Sequence, residues 1–233
     1  MNVKKMFARI SSGYDIANRI ISGGFDRWWR KNTVSLMKLD KGCRVIDLCT
    51  GTGDLAGEVM KCIDGGEVIG IDFCPETLEI ARRKFPKDRF PRLIFRESDV
   101  MTLPFPDESF DLACGAFMLR NLPDLEKFLA ETYRIIKPGG QVVFLELFPP
   151  KGFLPKIYLK YGVPLIGGII TGSKPDYQYL GRSVLSFIST EKLMNILKVI
   201  GFIKTRKKSL FYQVPNIILA EKPGGGEIER SDS

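Results

Sequence analysis

The sequence predicts an α/β protein with a doubly wound, mostly parallel sheet of seven strands that has an antiparallel C-terminal strand. Two observations predict this fold. From about residue 40 onward, short apolar runs alternate with amphipathic segments of helical length, a rhythm typical of parallel strands joined by helices. Two further runs close the chain at 202–211 and 214–221, with Pro215 near the turn between them. A sheet of this kind binds ligands at the carboxyl ends of its strands.

Five apolar runs are predicted as core strands, and three helices lie between them. The strands are expected at residues 44–49, 67–72, 92–98, 110–116 and 141–147. The helices are expected at residues 54–63, 75–84 and 124–136. The last helix has clear ends, because Pro123 and Asp124 mark its start and the run KPGG at 137–140 marks its stop.

The segments on either side of this core have a different character. The N-terminal residues look helical, and residues 152–172 are rich in glycine, proline, aromatic and aliphatic side chains. A helix is expected at 190–200, capped by Ser189 or Thr190. The chain thus divides into a helical segment at 1–40, a main domain at 41–222 with an insertion at about 148–188, and a tail at 223–233 that we expect to be disordered.

Composition sets bounds on what the protein does. The 233 residues suffice for one sizeable α/β domain or two small ones, and 44% hydrophobic with 27% charged residues is ordinary for a globular protein. The net charge of +8 leaves nucleic-acid binding, contact with an anionic membrane, or solubility alone as interpretations. Apolar stretches such as 163–170 fall short of the roughly 18 residues that span a bilayer. With no recognisable signal peptide, we expect a cytoplasmic protein.

The chain has no histidine, and its five cysteines show no CxxC spacing. Histidine is the commonest general base and a frequent metal ligand. Proton transfer must therefore use another group, and no metal site is predicted. The cysteines are read as small buried residues in a reducing compartment.

The stretch VIDLCTGTGDLA at 45–56 contains the strongest local motif. Gly51, Gly53 and Ala56 satisfy the pattern G-x-G-x-x-A, and Asp72 lies 19 residues beyond Gly53. This is the spacing of an acid that binds a ribose diol in dinucleotide sites. The glycines alone could serve only a tight strand-to-helix turn, and Asp72 alone could begin the turn before Pro75.

Two carboxylates beside the glycines favour one cofactor class over the other. A dinucleotide places its pyrophosphate at the helix N-terminus, where Asp54 and the strand-end residue Asp47 would repel it. Asp54 could also be a simple helix N-cap. S-adenosylmethionine lacks phosphate and carries an ammonium, a sulfonium and a ribose diol, so it fits better. Asp72 would accept from the ribose hydroxyls, and Asp99 would accept from the adenine amine.

At this point the chain resembles the class I S-adenosylmethionine-dependent methyltransferases, which have a Rossmann-like fold. More narrowly, it is similar to the menaquinone/ubiquinone biosynthesis C-methyltransferases over residues 5–221. The narrower resemblance rests on FARISSGYDIANRIISGGFDRWWRK at 7–31, TGTGDLA at 50–56, FMLRN at 117–121 and PDYQYLGRSV at 175–184. The first and third of these motifs are much more specific than the nucleotide-binding ones.

The motifs and the resemblance together assign a cofactor site. Its residues are expected to be Tyr14, Asp47, Gly51, Thr52, Gly53, Asp72, Phe73, Asp99, Val100 and Ala116. Ala116 departs from the family, whose members often have a serine there. The run after the fourth strand also lacks the Asn/Asp-Pro-Pro-Tyr/Phe motif by which amine methylases bind their target nitrogen.

The resemblance implies methylation of a ring carbon of a polyprenyl quinol. Such a quinol has phenol-like hydroxyls, and loss of a proton would activate the ring carbon. We expect Arg120 to stabilise the developing phenolate and Asn121 to orient it, as the catalytic pair. The proton acceptor would be water, a carboxylate or a tyrosinate. Arg120 could instead form only a salt bridge to Asp124.

The remaining expectations concern the flanking segments and the partners. The 1–40 segment, with Tyr14 on one helix face, is expected to fold over the cofactor as a lid, although Tyr14 could simply pack in the core. The 148–188 insertion is expected to line a site for the prenyl chain, although ordinary packing explains it equally well. Weak contact of the basic surface with the inner face of the membrane is expected, and no nucleic acid. The oligomeric state stays open, with a homodimer among the options.

Four other functions compete with this interpretation. They are a methyltransferase of the same fold acting on another small molecule, a nucleic-acid methyltransferase, a catalytically inactive cofactor-binding scaffold, and a hydride-transferring enzyme. A nucleic-acid methyltransferase would need a base-binding motif after the fourth strand and a concentrated basic stripe, and neither is evident. Binding of a nicotinamide cofactor would favour the hydride-transferring enzyme.

Overall fold

The computed structural model describes residues 3–210 and 214–225, and its centre is one seven-stranded sheet. The strands are β1 (Arg44–Leu48), β2 (Glu67–Asp72), β3 (Leu93–Glu97), β4 (Phe110–Ala116), β5 (Ile136–Leu147), β6 (Ile203–Ser209) and β7 (Pro215–Glu221), arranged in the order β3-β2-β1-β4-β5-β7-β6. The first five strands are parallel, and β7 is antiparallel to both of its neighbours. The predicted fold class is confirmed. The strand order reverses between β1 and β4, so a ligand crevice is expected at their carboxyl ends.

Helices cover both faces of the sheet and extend beyond it. They are α1 (Val3–Ile21), α2 (Asp26–Val34), α3 (Asp54–Met60), α4 (Pro75–Lys84), α5 (Leu125–Ile135), α6 (Phe153–Ile157), α7 (Val163–Thr171), α8 (Lys174–Ser186) and α9 (Thr190–Ile200). A π-helical turn at Tyr158–Gly162 joins α6 and α7 into one continuous helix, the 153–171 helix. A short 3-10 turn, Leu119–Asn121, follows β4.

The two faces of β1 show how alternation builds the core. Ile46 and Leu48 face the layer that contains α5 and α9, whereas Val45 faces the layer of α2, α3 and α4. Burial of both faces accounts for the near-continuous apolar strands of the sequence. A third cluster lies apart from the sheet, where Met6 and Ile10 of α1 pack with residues of α7 and α8, among them Tyr177.

Local capping follows the sequence closely. The side chain of Asp124 accepts a hydrogen bond from the Lys127 backbone N–H at 2.9 Å and begins α5. The Ser189 hydroxyl accepts from the Lys192 backbone N–H at 3.2 Å and begins α9, so Ser189 is the cap.

Two sequence expectations need correction. β5 begins at Ile136, before the KPGG run, because Ile136 pairs with Phe110 across a register shift in the ladder. The 153–171 helix has 19 residues and a mean hydropathy of 1.2, so by length and composition one described helix is long and apolar enough to cross a membrane. The expected disorder of 223–233 falls mostly outside the described residues.

Candidate active site

A cleft of about 1030 Å³ opens at the carboxyl ends of β1 to β4, beneath α1. Nine of the twelve residues expected at the site line this cleft. They are Tyr14, Gly51, Asp72, Phe73, Asp99, Val100, Ala116, Arg120 and Asn121. Because they come from α1 and from the segments after four different strands, the fold brings together residues that are far apart in sequence.

The two glycines of the loop have different tasks. Gly51 has φ of +55°, and a Cβ added there would project into open space at the cleft. Gly53 has φ of +80°, and a Cβ there would lie 2.8 Å from the ring of Phe95. Gly51 therefore leaves room for a ligand against the backbone, whereas Gly53 lets the loop pack on the sheet.

Asp72 presents a buried carboxylate to the cleft. Its Oδ2 accepts from the Gly51 backbone N–H at 2.8 Å, and its Oδ1 accepts from the Cys74 backbone N–H at 2.9 Å. Burial raises the pKa of this carboxyl, although these hydrogen bonds oppose the shift. Each oxygen keeps further acceptor capacity, which suits the hydroxyls of a ribose.

The structure does not bring Asp47 to the cleft. The carboxyl is 1% exposed, and it accepts from the Thr50 hydroxyl at 2.6 Å and from the Ala56 backbone N–H at 3.1 Å. Burial raises its pKa to about 7. The side chain of Asp47 lies on the face of the sheet that packs against α3. Through its hydrogen bonds to Thr50 and Ala56 it stabilises the glycine loop.

Asp54 and Thr52 also point away from the cleft. Asp54 pairs with Lys84 and lies 3.6 Å from Arg30, and these cations lower its pKa against the opposing effect of burial. The Thr52 hydroxyl donates to Asp15 of α1 at 2.7 Å. The argument that Asp47 and Asp54 would repel a pyrophosphate is therefore not supported, since neither carboxylate faces the ligand space.

A second cavity, of about 510 Å³ and mostly apolar, adjoins the cleft. The 153–171 helix and α8 contribute much of its lining, together with residues of α1 and α2. Tyr14, Phe117 and Arg120 line both the cleft and this apolar cavity. These three residues form the wall between the two spaces, here called the shared wall.

Arg120 is held in the shared wall by several hydrogen bonds. Its Nη1 donates to the Phe117 carbonyl at 2.8 Å and to the buried carboxylate of Glu146, and its Nε donates to the Ser183 hydroxyl at 3.2 Å. The expected alternative of a salt bridge to Asp124 is not formed, because that carboxyl caps α5. Asn121 donates to the Phe117 carbonyl at 3.3 Å, while its buried Oδ1 has no hydrogen-bond partner among the described residues.

Phe117 adopts a backbone conformation that bulky residues rarely take. Its φ is +62°, and its N–H donates to the Leu145 carbonyl at 2.7 Å. Such a conformation persists only where the surroundings hold it in place. The carbonyl of Phe117 accepts hydrogen bonds from both Arg120 and Asn121. The strained backbone is therefore bonded directly to the two candidate catalytic residues.

Sequence reasoning missed several residues of this site. Glu146, Phe117, Trp29 and Tyr177 either line the cavities or fix the shared wall. Phe117, Trp29 and Tyr177 lie within the motifs that carry the family resemblance. Glu146 had a separate signal, since a glutamate inside the apolar run QVVFLEL must be paired when it is buried.

The cleft residues fit S-adenosylmethionine. The open space over Gly51 accommodates a close approach to backbone, and the carboxylates of Asp72 and Asp99 match the hydroxyl and amine donors of the cofactor. Asp99 also accepts from the Met101 backbone N–H at 2.9 Å, which fixes its orientation. The Oδ1 of Asn121, which has no hydrogen-bond partner among the described residues, offers a further acceptor at the cleft.

Comparisons with known proteins agree with this geometry. Residues 1–221 match the model of the ubiE/COQ5 methyltransferase family. A protein of Thermus thermophilus named demethylmenaquinone methyltransferase is 40% identical over 222 residues, which are 94% of this chain and 100% of the relative. A protein of Bdellovibrio bacteriovorus named ubiquinone/menaquinone biosynthesis C-methyltransferase is 38% identical over 203 residues, 85% of this chain and 86% of that one.

The solved structures agree at the level of the fold. A SAM-dependent methyltransferase from Aquifex aeolicus has a TM-score of 0.64 at 19% identity, covering 91% of this chain and 97% of that one. The expected cofactor is confirmed by family membership, not by the argument from Asp47 and Asp54. The chain belongs to the ubiE/COQ5 methyltransferase family and is an S-adenosylmethionine-dependent methyltransferase.

Proposed function

We propose that this enzyme methylates a ring carbon of a polyprenyl quinol, converting demethylmenaquinol to menaquinol or acting on the equivalent quinol of the ubiquinone pathway. The observation that carries the proposal is the shared wall of Tyr14, Phe117 and Arg120 between a polar cleft and an apolar cavity. The prenyl chain would occupy the apolar cavity, and the quinol ring would lie at the shared wall. The names of the relatives support this substrate class.

The cofactor supplies an electrophilic methyl group when it is bound. Arg120 stabilises the negative charge that the quinol oxygen acquires when it loses its proton, and this favours the phenolate form whose ring carbon attacks the methyl group. Its hydrogen bonds to Glu146, Phe117 and Ser183 fix the guanidinium before the substrate arrives, which limits reorganisation during the reaction. Asn121 orients the same oxygen, directly or through a water.

Tyr14 acts in this proposal as a hydrogen-bond donor. Burial raises the pKa of its phenol, although the neighbouring Arg120 acts to lower it. The hydroxyl therefore stays protonated near neutral pH. With no histidine in the chain, water or a carboxylate accepts the proton of the quinol.

The N-terminal segment acts in this proposal as a lid over the cleft. Asp15 of α1 accepts from the Thr52 hydroxyl at 2.7 Å and from Lys84 Nζ at 2.9 Å, so α1 is tied to the glycine loop. Arg9 of α1 pairs with Asp176 of α8 at 2.6 Å. The lid thus spans the cofactor side and the substrate side, while the 148–188 insertion lines the prenyl site.

Calorimetric titration with S-adenosylhomocysteine, with NADH as the control ligand, tests the cofactor site first. We expect micromolar binding of the former and none of the latter. Methyl transfer to demethylmenaquinol and to the ubiquinone-pathway quinol is then followed by mass spectrometry. Transfer to neither quinol, with cofactor binding intact, would overturn the substrate assignment.

Arg120→Ala separates catalysis from binding in the same assay. We expect turnover to fall about 100- to 1000-fold with little change in the affinity for S-adenosylhomocysteine. Arg83→Ala is the control, since Arg83 is exposed on α4 and pairs only with Glu79 among the described residues. Full turnover by the Arg120 variant would contradict the proposed role of Arg120 in catalysis.

A further inference from the structure

We propose that the outer side of the 153–171 helix, with the adjoining part of α1, is a docking face for an anionic lipid bilayer. The apolar cavity opens through this face, so a polyprenyl substrate enters it from the membrane. Membrane docking does not depend on the proposed function. The entry route for the substrate does rest on the proposed function.

The docking face is defined by large apolar side chains that are exposed. On the 153–171 helix they are Phe153 (75% exposed), Leu154 (77%), Tyr161 (60%), Leu165 (56%) and Ile169 (76%). Scattered single apolar residues are normal on a protein surface, but a continuous stripe of this kind marks an interaction site.

The same helix already has an inward stripe that accounts for its packing. Leu159, Val163 and Gly167 recur every fourth residue and are buried, and Gly167 lies directly against the ring of Tyr177 on α8. A helix with apolar stripes on two opposite sides needs apolar surroundings on both of those sides. Nothing in residues 3–210 and 214–225 covers the outer stripe.

The first helix extends the exposed apolar surface. The Tyr158 hydroxyl donates to the Ile21 carbonyl at 2.8 Å, and a Cβ on Gly13 would lie 2.9 Å from Thr171 Cγ2. α1 therefore runs antiparallel along the 153–171 helix. Ile16 and Ile20 of α1 are 58% and 51% exposed.

The charge around the docking face selects an anionic lipid surface over other occupants. Residues 147–175 contain four lysines and no aspartate or glutamate. The lysines, all exposed, are Lys151, Lys156, Lys160 and Lys174. If two copies of the chain docked face to face, the lysines of one copy would repel those of the other. The headgroups of anionic lipids would instead neutralise these positive charges.

The cavity opens where the lipid would be. Leu154 and Tyr158 line the apolar cavity and are also 77% and 39% exposed, so they stand at its mouth. The inward stripe keeps the helix packed on α8, which favours a helix lying in the plane of the membrane interface over one that spans the bilayer.

Vesicle co-sedimentation of the full chain tests the docking. Wild-type protein is mixed with vesicles of phosphatidylcholine alone or with phosphatidylglycerol added. The test variant is the double substitution Phe153→Ser with Ile169→Ser, at positions outside the lining of both cavities. Val199→Ser on α9 is the matched control, because Val199 is 80% exposed and lies outside the docking face.

We expect binding to the phosphatidylglycerol vesicles to weaken about tenfold or more in the double variant and to stay unchanged in the control. Lys156→Gln with Lys160→Gln should remove the preference for anionic vesicles. Wild-type protein that stays in the supernatant with both vesicle types overturns the proposal. So does a double variant that binds vesicles as well as wild type but turns a dimer into a monomer in light scattering.

Activity measurements separate the docking from the proposed function. The double variant should methylate a water-soluble quinol without a prenyl chain at the wild-type rate, and should lose turnover only with polyprenyl quinol held in vesicles. Equal turnover of vesicle-held substrate by wild type and double variant overturns the entry route. Vesicle binding without methylation of any quinol overturns the proposed function but leaves the docking intact.

Discussion

The guanidinium of Arg120 donates to the carboxylate of Glu146, and these side chains are 5% and 0% exposed. Glu146 also accepts from the Leu147 backbone N–H at 2.7 Å. A buried carboxylate held in this way keeps its partner fixed, since breaking such a pair leaves an uncompensated charge. On the proposed role of Arg120, Glu146 would be a positioning residue that acts on the substrate through Arg120.

Glu146→Gln should lower turnover while leaving cofactor binding intact. The amide keeps the size of the side chain but loses the charge that holds the guanidinium. We expect kcat to fall about 10- to 100-fold, with little change in KM for S-adenosylmethionine. The reason is that a misplaced Arg120 guanidinium affects the reaction more than it affects cofactor binding. Steady-state kinetics with both substrates check this. A purely structural role would lower the melting temperature without this split between kcat and KM.

Gly51→Ala and Gly53→Ala should fail in different ways. Both residues have positive φ, so each substitution strains the backbone by about 1–2 kcal/mol. The Gly51 methyl projects into the cleft and should weaken S-adenosylhomocysteine binding about tenfold or more. The Gly53 methyl meets the ring of Phe95 and should add a further loss of stability. Calorimetry and urea unfolding of both variants check the contrast, and equal loss of affinity would contradict it.

The free energy of unfolding should depend on pH through Asp47. Its pKa is raised from 3.8 to about 7 on folding, so the folded state binds more protons between these values. The contribution of Asp47 to the free energy of unfolding therefore falls as pH rises from about 4 to 7, by up to about 1.4 kcal/mol per pH unit. Above that range this contribution is lost.

Asp47→Asn removes this titration and keeps an acceptor for Thr50 and Ala56. Urea unfolding across the same pH range should show a flatter dependence for the variant than for wild type. Asp107→Asn serves as the control, because the Asp107 side chain is 73% exposed. If the free energy of unfolding depended on pH in the same way for wild type and the Asp47 variant, the buried carboxyl would not be the source of that dependence.

Val184→Phe should discriminate between substrates by the length of the prenyl chain. Val184 is 2% exposed and lines the apolar cavity from α8, so the larger ring occupies space proposed for the chain. We expect kcat/KM to fall about tenfold or more for a long-chain quinol and little for a quinol without a chain. Val199→Phe, at an exposed site on α9, is the control. Equal losses for both quinols would place the chain elsewhere.

The strand and helix pattern was predictable because local signals agreed with the fold. Asp124 and Ser189 cap the helices that their positions predicted. The 148–188 insertion was harder. Its main helix is apolar on both the inward and outward sides, so it lacks the amphipathic period by which helices are recognised.

The site was predictable to the level of the loop but not of each side chain. Motif spacing placed Gly51 and Asp72 at the cleft, yet it could not tell that Asp47 of β1 and Thr52 of the glycine loop point elsewhere. Which way a side chain of a tight turn points depends on φ and on tertiary partners. Asp15 of α1, which accepts from Thr52, is 37 residues away in sequence.

Tyr14 belongs to both cavities, and this has a consequence for how the two ligands bind. An occupant of either cavity would contact the side chain that bounds the other, which would couple the two binding free energies. By linkage, any factor by which the quinol tightens S-adenosylmethionine is the factor by which S-adenosylmethionine tightens the quinol. Where that factor exceeds one, the N-terminal helix favours the complex that holds both ligands, and it reduces the fraction of cofactor that is held without an acceptor.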